Sequence, residues 1–483
     1  MRYFNILEVF EISNLKKSPN LLFIMCDQQR YDCIGFSNIR PVKTPNIDNL
    51  AKKGAWFTNA YTPIPVCAPA RQALFCGKRP EYYGALWNFH ITHPVCEVPQ
   101  DAYFYTRHIK QQGYNTAFCG KWNVSGSLQP DKYGFDISVT SGEISAEVNK
   151  KYFEATGNKT SDISYPNGAF GDPCPIPLEY SHTHILAEKA NGFINNFAKQ
   201  DKPWFINIDF PEPHLPCRPS APFDAMYNPS EVEKWGGFDD DFKGKPYMHK
   251  QQVINWNLED VTWEKMARTV ALYYGYISQY DDAIGKIIKN LEDTGQIENT
   301  LIVYTCDHGD LCGSHKMLDK HYVMYEDLVH VPFIIRYDNH IKPQTFDGYV
   351  HNCLDVVPTI LDFLGIEKPT GNTLHGESLY NALAEDEKWE RDFAVSSYNG
   401  QQFGLYSCRS IKIDGYKYVW NLTDIDELYD LNADPYELEN IIYDEAKKDL
   451  LSSLRKKLYD ELLRCEDKMI GSTKAQLLEN RKM

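Results

Sequence analysis

The chain has 483 residues, of which 43% are hydrophobic and 24% charged, a composition typical of a globular protein that excludes a disordered or fibrous one. Its formal net charge of -16 argues against the broad basic surface with which nucleic-acid-binding proteins displace counterions, so we expect no nucleic-acid partner. The length exceeds the usual size of one hydrophobic core and predicts two domains, or one large and one small.

The N-terminal segment, residues 1–20, has a short apolar stretch that Glu8 and Glu11 interrupt, so it lacks the continuous apolar region of a secretion signal. No later stretch approaches the ~18 consecutive apolar residues of a membrane-spanning helix. The cysteines are odd in number and form no CxxC pair, which favours reduced side chains over a disulfide framework. We therefore expect a cytoplasmic protein with no membrane partner, while the oligomeric state stays open.

Four apolar runs predict strands that are buried on both faces, and each run leads directly into polar or glycine residues. Helical patterns separate the runs, which predicts an α/β fold with a large mixed, mainly parallel sheet flanked by helices. Ligands bind at the carboxyl ends of the strands in such sheets. The runs are 21–26 before Asp27, 114–119 before Gly120 and Lys121, 204–208 before Asp209, and 301–306 before Asp307.

The clearest helix is predicted from Trp263 to Leu291, where apolar residues recur alternately three and four positions apart. It is expected to end near Gly295. Its Asp281-Asp282 pair could be taken for a metal site, but we interpret the pair as a solvated helix face, because carboxylates are seldom buried.

The pattern changes after about residue 370. Residues 408–420 predict two antiparallel strands around an Asp-Gly turn, residues 427–431 a further strand, and residues 444–468 a terminal helix. We therefore predict a smaller C-terminal α+β domain built on an antiparallel sheet. The expected organisation is an N-terminal extension at 1–19, a main domain at 20–370 and the smaller domain at 371–483.

A candidate nucleophile, Cys67, lies close to Arg71 in a proline-rich segment that precedes a predicted helix. Thiolates and anions both favour helix N-termini. Considered alone, these residues fit a buried cysteine beside a salt-bridged arginine better than a catalytic site.

Several motifs in a fixed order resemble the sulfatase family of the alkaline-phosphatase-like superfamily, from Asn20 to about Asn440. The central motif is Cys67-Ala68-Pro69-Ala70-Arg71, which matches the family's Cys-x-Pro-x-Arg signature. One such motif carries little weight, whereas the ordered set is specific. The accompanying motifs are residues 44–50, 77–80, 120–122, 213–216, 306–309, 324–327 and 331–333.

The resemblance implies a main domain that is catalytic and a nucleophile made from Cys67. In the family a dedicated maturation enzyme oxidises this cysteine to formylglycine, whose hydrate offers one hydroxyl to attack sulfur and a second to expel sulfate. A divalent cation is also implied, with calcium as the first expectation and manganese or zinc as alternatives. The expected metal ligands are Asp27, Gln28, modified Cys67, Asp307 and His308.

The resemblance further implies a set of cations around the substrate. Arg71, Lys121 and Lys320 would hold the oxyanion, and His214 would contact it and protonate the leaving alkoxide. Asn123 is included among the expected substrate-binding residues. The assignment of Lys320 competes with other basic residues of its segment, which are His315, Lys316 and His321.

Three residues depart from the common sulfatase pattern. Gln28 stands where most members carry a second aspartate, His308 where many carry asparagine, and Asn123 where a histidine is usual. An imidazole ligand suits manganese, zinc or iron better than calcium. These departures resemble the phosphonate monoester hydrolase branch of the superfamily.

We predict hydrolysis of a sulfate monoester of a small molecule or a sugar. Hydrolysis of a phosphonate monoester or a phosphodiester is the alternative, and an unmodified, non-catalytic binding protein is a third reading. The organic part of the substrate cannot be read from the motifs. Residues 86–94 and 216–250 would surround it, with Trp87, Phe89, His90 and His93 as candidate pocket residues that fit surface packing better.

Overall fold

The computed structural model describes residues 18–89, 95–371, 373–400, 404–470 and 477–478. Its strands are β1 (Asn20–Asp27), β2 (Ala55–Phe57), β3 (Ala60–Tyr61), β4 (Asn115–Gly120), β5 (Ile137–Thr140), β6 (Trp204–Pro213), β7 (Thr300–Cys306), β8 (Phe333–Arg336), β9 (Gln344–Phe346), β10 (Val350–His351), β11 (Phe393–Tyr398), β12 (Cys408–Ile413), β13 (Tyr416–Asn421) and β14 (Glu427–Asp430). Its helices are α1 (Pro45–Lys53), α2 (Cys67–Cys76), α3 (Pro80–Tyr83), α4 (Tyr105–Gln111), α5 (Ser141–Thr156), α6 (His182–Phe197), α7 (Tyr247–Asn255), α8 (Trp263–Asp293), α9 (Glu326–Val329), α10 (Asn352–Leu364), α11 (Tyr380–Ala384) and α12 (Lys448–Arg464).

Eight strands of this described part form the main sheet, in the order β5-β4-β6-β1-β7-β8-β2-β9. The first five strands in this order, β5, β4, β6, β1 and β7, run parallel to one another. Strand β8 is antiparallel to both of its neighbours, β7 and β2. Every residue of the central strand β1 is buried, as expected for a strand that is covered by helices on both faces. The predicted mixed, mainly parallel α/β sheet is confirmed.

Helix α8 covers the sheet and contacts α6, α1 and β6. The interpretation of its Asp281-Asp282 pair as a solvated face is wrong for Asp281, which is 1% exposed. The Asp281 carboxylate accepts hydrogen bonds from the backbone N–H of Asn46 at 3.2 Å and of Ile47 at 2.8 Å. It therefore caps the N-terminus of α1, where backbone N–H groups lack partners within the helix. The side chain of Asp282 is 44% exposed, in agreement with the predicted solvated face.

Substitution Asp281→Asn is expected to lower the free energy of unfolding by about 1–3 kcal/mol, because an amide N–H₂ cannot accept the hydrogen bonds that a carboxylate oxygen accepts. Chemical denaturation measures the change. The neighbouring substitution Asp282→Asn is the control, since it affects a half-exposed carboxylate and is expected to cost less than ~1 kcal/mol. Equal losses in the two variants would contradict the capping role of Asp281.

The C-terminal strands form a separate antiparallel sheet in the order β11-β12-β13-β14. Strands β12 and β13 meet at Asp414-Gly415, and both residues have positive φ angles, 46° and 79°, as the predicted Asp-Gly hairpin requires. Helix α12 packs on β12 and β13. The smaller α+β unit is confirmed, while its boundary at residue 370 stays a prediction, and residues 1–17 of the predicted extension lie outside the described residues.

The two units are joined by partly buried ion pairs. Glu326 of α9 accepts hydrogen bonds from Lys412 at 2.7 Å and Lys417 at 3.2 Å, both from the C-terminal sheet.

Among the described helices, none combines the length and apolar composition that a membrane span requires.

Candidate active site

Two neighbouring parallel strands deliver polar residues to one edge of the main sheet. Strand β1 ends at Asp27, and β7 is followed directly by Asp307 and His308. Because Cys26 and Cys306 pair in register, the residues that follow them lie side by side. Gly309 completes the turn, at a position where a Cβ atom would lie 1.9 Å from the carbonyl oxygen of Asp327. The glycine of the Asp-His-Gly motif is thus required by a close backbone approach.

Cys67 is the first residue of α2 and is 2% exposed. The backbone N–H of Ala68, one of the unpaired donors at this helix N-terminus, donates to the side-chain oxygen of Asn88 at 2.9 Å. Burial alone would raise the pKa of the Cys67 thiol, but the nearby cations Lys121 and Lys320 hold it well below its ordinary value. These two cations therefore favour the thiolate form of Cys67.

Four buried side chains converge at this edge. Ligand atoms of Asp27, Cys67, Asp307 and His308 all lie within 4.8 Å of one another. The Cys67 Sγ is 3.2 Å from His308 Nε2 and 3.6 Å from Asp27 Oδ1. His308 Nδ1 is 2.8 Å from the carbonyl oxygen of Gly309, so this nitrogen donates and Nε2 is the atom that faces the cluster. Two carboxylates, an imidazole nitrogen and residue 67 could hold one divalent cation.

The ionisable groups of this cluster have pKa values that differ from those of the same groups in water. Burial would lower the pKa of His308, but Asp307 and Cys67 raise it to about 9. Burial would raise the pKa of Asp27, but Lys121 and the other cations hold it well below its ordinary value. The pKa of Asp307 is raised, first by burial and then by Asp27. Binding of a cation here would release the proton of His308.

Arg71 links the cluster to the rest of the sheet. Its guanidinium is fully buried and donates to three carboxylates: Asp209 at 2.9 Å, Asp307 at 3.1 Å and Asp27 at 3.2 Å. Burial raises the pKa of Asp209 to about 7. Asp209, which the sequence places after a strand but for which no role is predicted, thus belongs to the site as an anchor of Arg71.

Lys121 approaches the cluster from the end of β4. Gly120 precedes it with a φ angle of 117°, where a Cβ atom would collide with the carbonyl oxygen of Asp209 at 2.0 Å. The Lys121 ammonium donates to Asp27, and its side chain is 21% exposed. Asn123 follows with a φ angle of 42° and is half-buried, and among the described residues its side chain makes no hydrogen bond. The structure therefore brings Lys121, but not the Asn123 side chain, into the network.

Lys320 and His214 form a pair on the other side of the cluster. Lys320 Nζ is 3.0 Å from His214 Nε2, and it also donates to Gln28 Oε1 at 2.9 Å. His214 Nδ1 is 2.7 Å from the carbonyl oxygen of Leu215, so it donates there and leaves Nε2 as the acceptor from Lys320. The predicted acid and the predicted cation are thus in direct contact.

The side-chain amide of Gln28 hydrogen-bonds to residues outside the four-residue cluster. Its amide oxygen accepts from Lys320, and its amide nitrogen donates to Asp310 at 2.8 Å. Among the hydrogen bonds of the described residues, the one from its backbone N–H reaches a predicted metal ligand, Asp307, at 3.1 Å. Burial and Asp319 raise the pKa of Asp310 to about 6. The sequence does not predict this contact of Asp310, because no motif in its segment indicates a hydrogen bond with Gln28.

Two of the basic residues that compete with Lys320 lie elsewhere, whereas the third, His321, contacts Asp319, a hydrogen-bond partner of Lys320. His315 Nδ1 contacts Asp240 at 2.7 Å, and Lys316 donates to the carbonyl oxygen of Glu259 at 3.2 Å.

Of the candidate pocket residues, Trp87 donates from Nε1 to the carbonyl oxygen of Asn399 at 3.1 Å, whereas His90 and His93 lie outside the described residues.

Known proteins resemble this chain in both sequence and fold. A model of the sulfatase family matches residues 19–366, and a second one, described as N-sulphoglucosamine sulphohydrolase, C-terminal, matches residues 313–464. The uncharacterized sulfatase YidJ of Escherichia coli (strain K12) is 30% identical over 467 residues, covering 94% of this chain and 88% of the relative. An arylsulfatase of Clostridium perfringens is 28% identical over 472 residues, covering 92% and 94%.

A solved structure with a similar fold is the phosphonate monoester hydrolase of Agrobacterium radiobacter. It superposes with a TM-score of 0.77 at 25% identity, covering 92% of this chain and 96% of that one. Sequence, fold and the cluster around Cys67 agree, and the chain belongs to the sulfatase family and is an enzyme of that family, with the alkaline-phosphatase-like fold.

Proposed function

We propose that the protein hydrolyses a sulfate monoester with a formylglycine nucleophile made from Cys67. The observation that carries this proposal is the position of Cys67: it begins a helix, faces two carboxylates and an imidazole within 4.8 Å, and lies among cations. Membership of the sulfatase family supports the reaction class. A maturation enzyme that oxidises Cys67 is the protein partner that this proposal requires.

The donor set fits a divalent cation held by Asp27, Asp307, His308 and residue 67. Gln28 would join only if its amide oxygen left Lys320, because that oxygen now accepts from the ammonium. When bound, the cation would lower the pKa of the attacking hydroxyl and screen the charge of the sulfate. We propose calcium, with manganese or zinc as alternatives that the imidazole of His308 favours.

The side chains of this chain divide the remaining work. One hydroxyl of the hydrated aldehyde gives its proton to the Asp307 carboxylate, whose pKa burial raises, and attacks sulfur, while the bond between sulfur and the leaving oxygen breaks with its electron pair on that oxygen. The leaving oxygen takes a proton from the Lys320–His214 pair, in which the proton between the two nitrogens resides on Lys320 at rest. The second hydroxyl then returns a proton to the Lys320–His214 pair, and the bond between its carbon and the sulfate oxygen breaks. Sulfate departs, and the aldehyde is restored and is hydrated again by water.

Two cations would keep the sulfate in place during these steps. Lys121 is partly exposed and donates to Asp27, a carboxylate of the cluster around residue 67, and Lys320 is buried and donates to Gln28, which follows Asp27 in the chain. Arg71 is fully engaged by three carboxylates, so we assign it to orienting Asp27 and Asp307 as well as to neutralising the oxyanion. Asn123 stays a proposed substrate contact.

Hydrolysis of a phosphonate monoester or phosphodiester is the second candidate. The sequence departures at Gln28 and His308 favour it, and the similar fold of a phosphonate monoester hydrolase supports it. For the organic part we propose an aryl or sugar sulfate, on the basis of the arylsulfatase relative and of the family model named for a sulphoglucosamine hydrolase.

A panel of esters with one common leaving group tests the proposed reaction. Purified protein, co-expressed with a maturation enzyme, is assayed on nitrophenyl sulfate, nitrophenyl phenylphosphonate and bis(nitrophenyl) phosphate. Because the leaving group is constant, differences in kcat/KM report the reacting centre. We expect the sulfate to give the highest value; a dominant phosphonate or phosphodiester activity would move the protein to the second candidate.

Removal of the metal is expected to lower activity by at least about 10²-fold, because the cation stabilises charge that develops at the ester. It is also expected to lower stability, since a cation at 100 times its Kd stabilises the folded state by about 2.7 kcal/mol. Thermal unfolding with a chelator, and again after addition of calcium, manganese or zinc, measures this effect.

A pair of variants separates specific from general metal binding. Asp307→Asn removes a carboxylate of the cluster and should abolish the metal-dependent rise in Tm. Asp426→Asn changes a buried carboxylate that pairs with Arg455 at 3.0 Å in the C-terminal unit, and should retain the rise. If Asp307→Asn keeps the full rise in Tm, the cation binds elsewhere.

A further inference from the structure

The ammonium of Lys320 has three hydrogen-bond acceptors, and they use all three of its N–H groups. They are Gln28 Oε1 at 2.9 Å, His214 Nε2 at 3.0 Å and Asp319 Oδ1 at 3.0 Å. Lys320 is 2% exposed, so no solvent replaces a lost partner. A sulfate oxygen can therefore contact this ammonium only by displacing one of the three acceptors.

Asp319 is the acceptor that binds most strongly, because it is the only charged one of the three. Hydrogen bonds between an ammonium and a carboxylate are roughly twice as strong as bonds between neutral groups. Gln28 and His214 are neutral acceptors, so an arriving oxyanion exchanges with one of them while Asp319 stays in place. The geometry of Lys320 during the reaction therefore depends on Asp319.

Asp319 is itself held from two sides. Its second oxygen, Oδ2, lies 3.1 Å from His321 Nε2, and the other nitrogen of His321 lies 3.4 Å from the hydroxyl of Tyr398 on β11. Its backbone carbonyl accepts from the N–H of Leu311 at 2.9 Å. The φ angle of Asp319 is 64°, in the left-handed region that aspartate adopts more readily than most residues with a side chain.

We propose that Asp319 is a positioning residue that holds the Lys320 ammonium against His214 Nε2 and so aligns the pair that protonates the leaving oxygen. This inference rests on the proposed function, since it deepens the role of the Lys320–His214 pair. Asp319 does not touch the ester; it acts through Lys320.

The proposal has a consequence that a purely structural role lacks. Nitrophenolate is a weak base and leaves with little help from an acid, whereas an alkoxide needs the proton. Loss of Asp319 should therefore affect alkyl esters much more than nitrophenyl esters. A general loosening of the fold would lower both rates by the same factor.

The central variant is Asp319→Asn, which keeps the size of the side chain and an acceptor for Lys320 but removes the charge. We expect kcat on an alkyl sulfate to fall about 10²-fold and kcat on nitrophenyl sulfate to fall less than about tenfold. Equal factors for the two esters would overturn the proposal. If Asp319→Asn does not fold, Asp319→Ser, which keeps a hydroxyl acceptor, is measured in the same way.

A matched control exists in the same protein. Asp240 is a buried carboxylate that pairs with the ammonium of Lys245 and with His315 Nδ1, as Asp319 pairs with Lys320 and His321. Asp240→Asn should change stability but leave the ratio of the two rates unchanged. If Asp240→Asn shifts that ratio as Asp319→Asn does, the effect is not specific to Lys320 and the proposal fails.

The second test is a double-mutant cycle with Lys320→Met. If Asp319 acts through Lys320, adding Asp319→Asn to the Lys320→Met variant should change kcat less than about twofold, because the two effects are not additive. A further fall as large as that in the unsubstituted enzyme would contradict the proposal. Turnover of phosphonate rather than sulfate esters would overturn the proposed function alone, since the same rate ratios are then measured with alkyl and nitrophenyl phosphonates.

Discussion

Replacement of Cys67 by alanine is expected to lower kcat/KM on the preferred ester by on the order of 10⁴-fold or more, because it removes the nucleophile and every step that depends on it. Residue 67 lies at a helix N-terminus, 3.2 Å from His308 Nε2, where a methyl group offers neither an attacking atom nor a metal ligand. Steady-state kinetics on the purified variant measures the loss. The variant should fold, since a small buried side chain is only slightly reduced.

The matched control for this variant is Cys76→Ala. Cys76 is the last residue of the same helix and is equally buried, but among the described residues its Sγ hydrogen-bonds only to backbone carbonyl groups. We expect this variant to keep its activity. Activity of Cys67→Ala above a hundredth of the unsubstituted value would show that another group attacks the ester.

Substitution Arg71→Lys is expected to lower kcat/KM by about 10²–10³-fold, although the positive charge is kept. The guanidinium donates to Asp27, Asp209 and Asp307 in three directions, all at 3.2 Å or less. A single ammonium cannot hold all three carboxylates at their present positions. Asp27 and Asp307 would then shift, and the cluster around residue 67 would lose its geometry.

Stability must be separated from catalysis in this variant. We expect Arg71→Lys to cost about 3 kcal/mol of unfolding free energy, because hydrogen bonds between buried charged groups are lost. Arg409→Lys is the control: Arg409 is also buried and donates to Asp467 at 2.7 Å, but it lies in the C-terminal sheet. It should lose similar stability and keep its activity. Equal kinetic losses would remove the special role of Arg71.

The sequence predicts well those features that depend on neighbours along the chain. Apolar runs place Asp27 and Asp307 at strand ends, and the Asp-Gly pair at 414–415 predicts the hairpin of β12 and β13. Since parallel strands end at one edge of a sheet, the convergence of Asp27 and Asp307 follows from the pattern alone. The long helix was placed within two residues of its observed end at Asp293.

Contacts between distant segments are not visible in the sequence. Asp209 approaches Arg71 across 138 residues, and Asp281 caps a helix 235 residues away. A carboxylate after a strand or on a helix is usually solvated, so nothing local distinguishes these two. Gln28 illustrates the same limit, because its amide could bind a metal or an ammonium, and the positions of Lys320 and Asp310 decide which groups it contacts.

The central claim, that a formylglycine at position 67 hydrolyses a sulfate monoester, is tested most directly by one titration. Preparations in which different fractions of residue 67 have been oxidised, as determined by peptide mass analysis, are assayed for sulfate release from nitrophenyl sulfate. We predict a rate that is proportional to the oxidised fraction and zero without it. A rate that is independent of that fraction, or no sulfate release from fully oxidised protein, would contradict the claim.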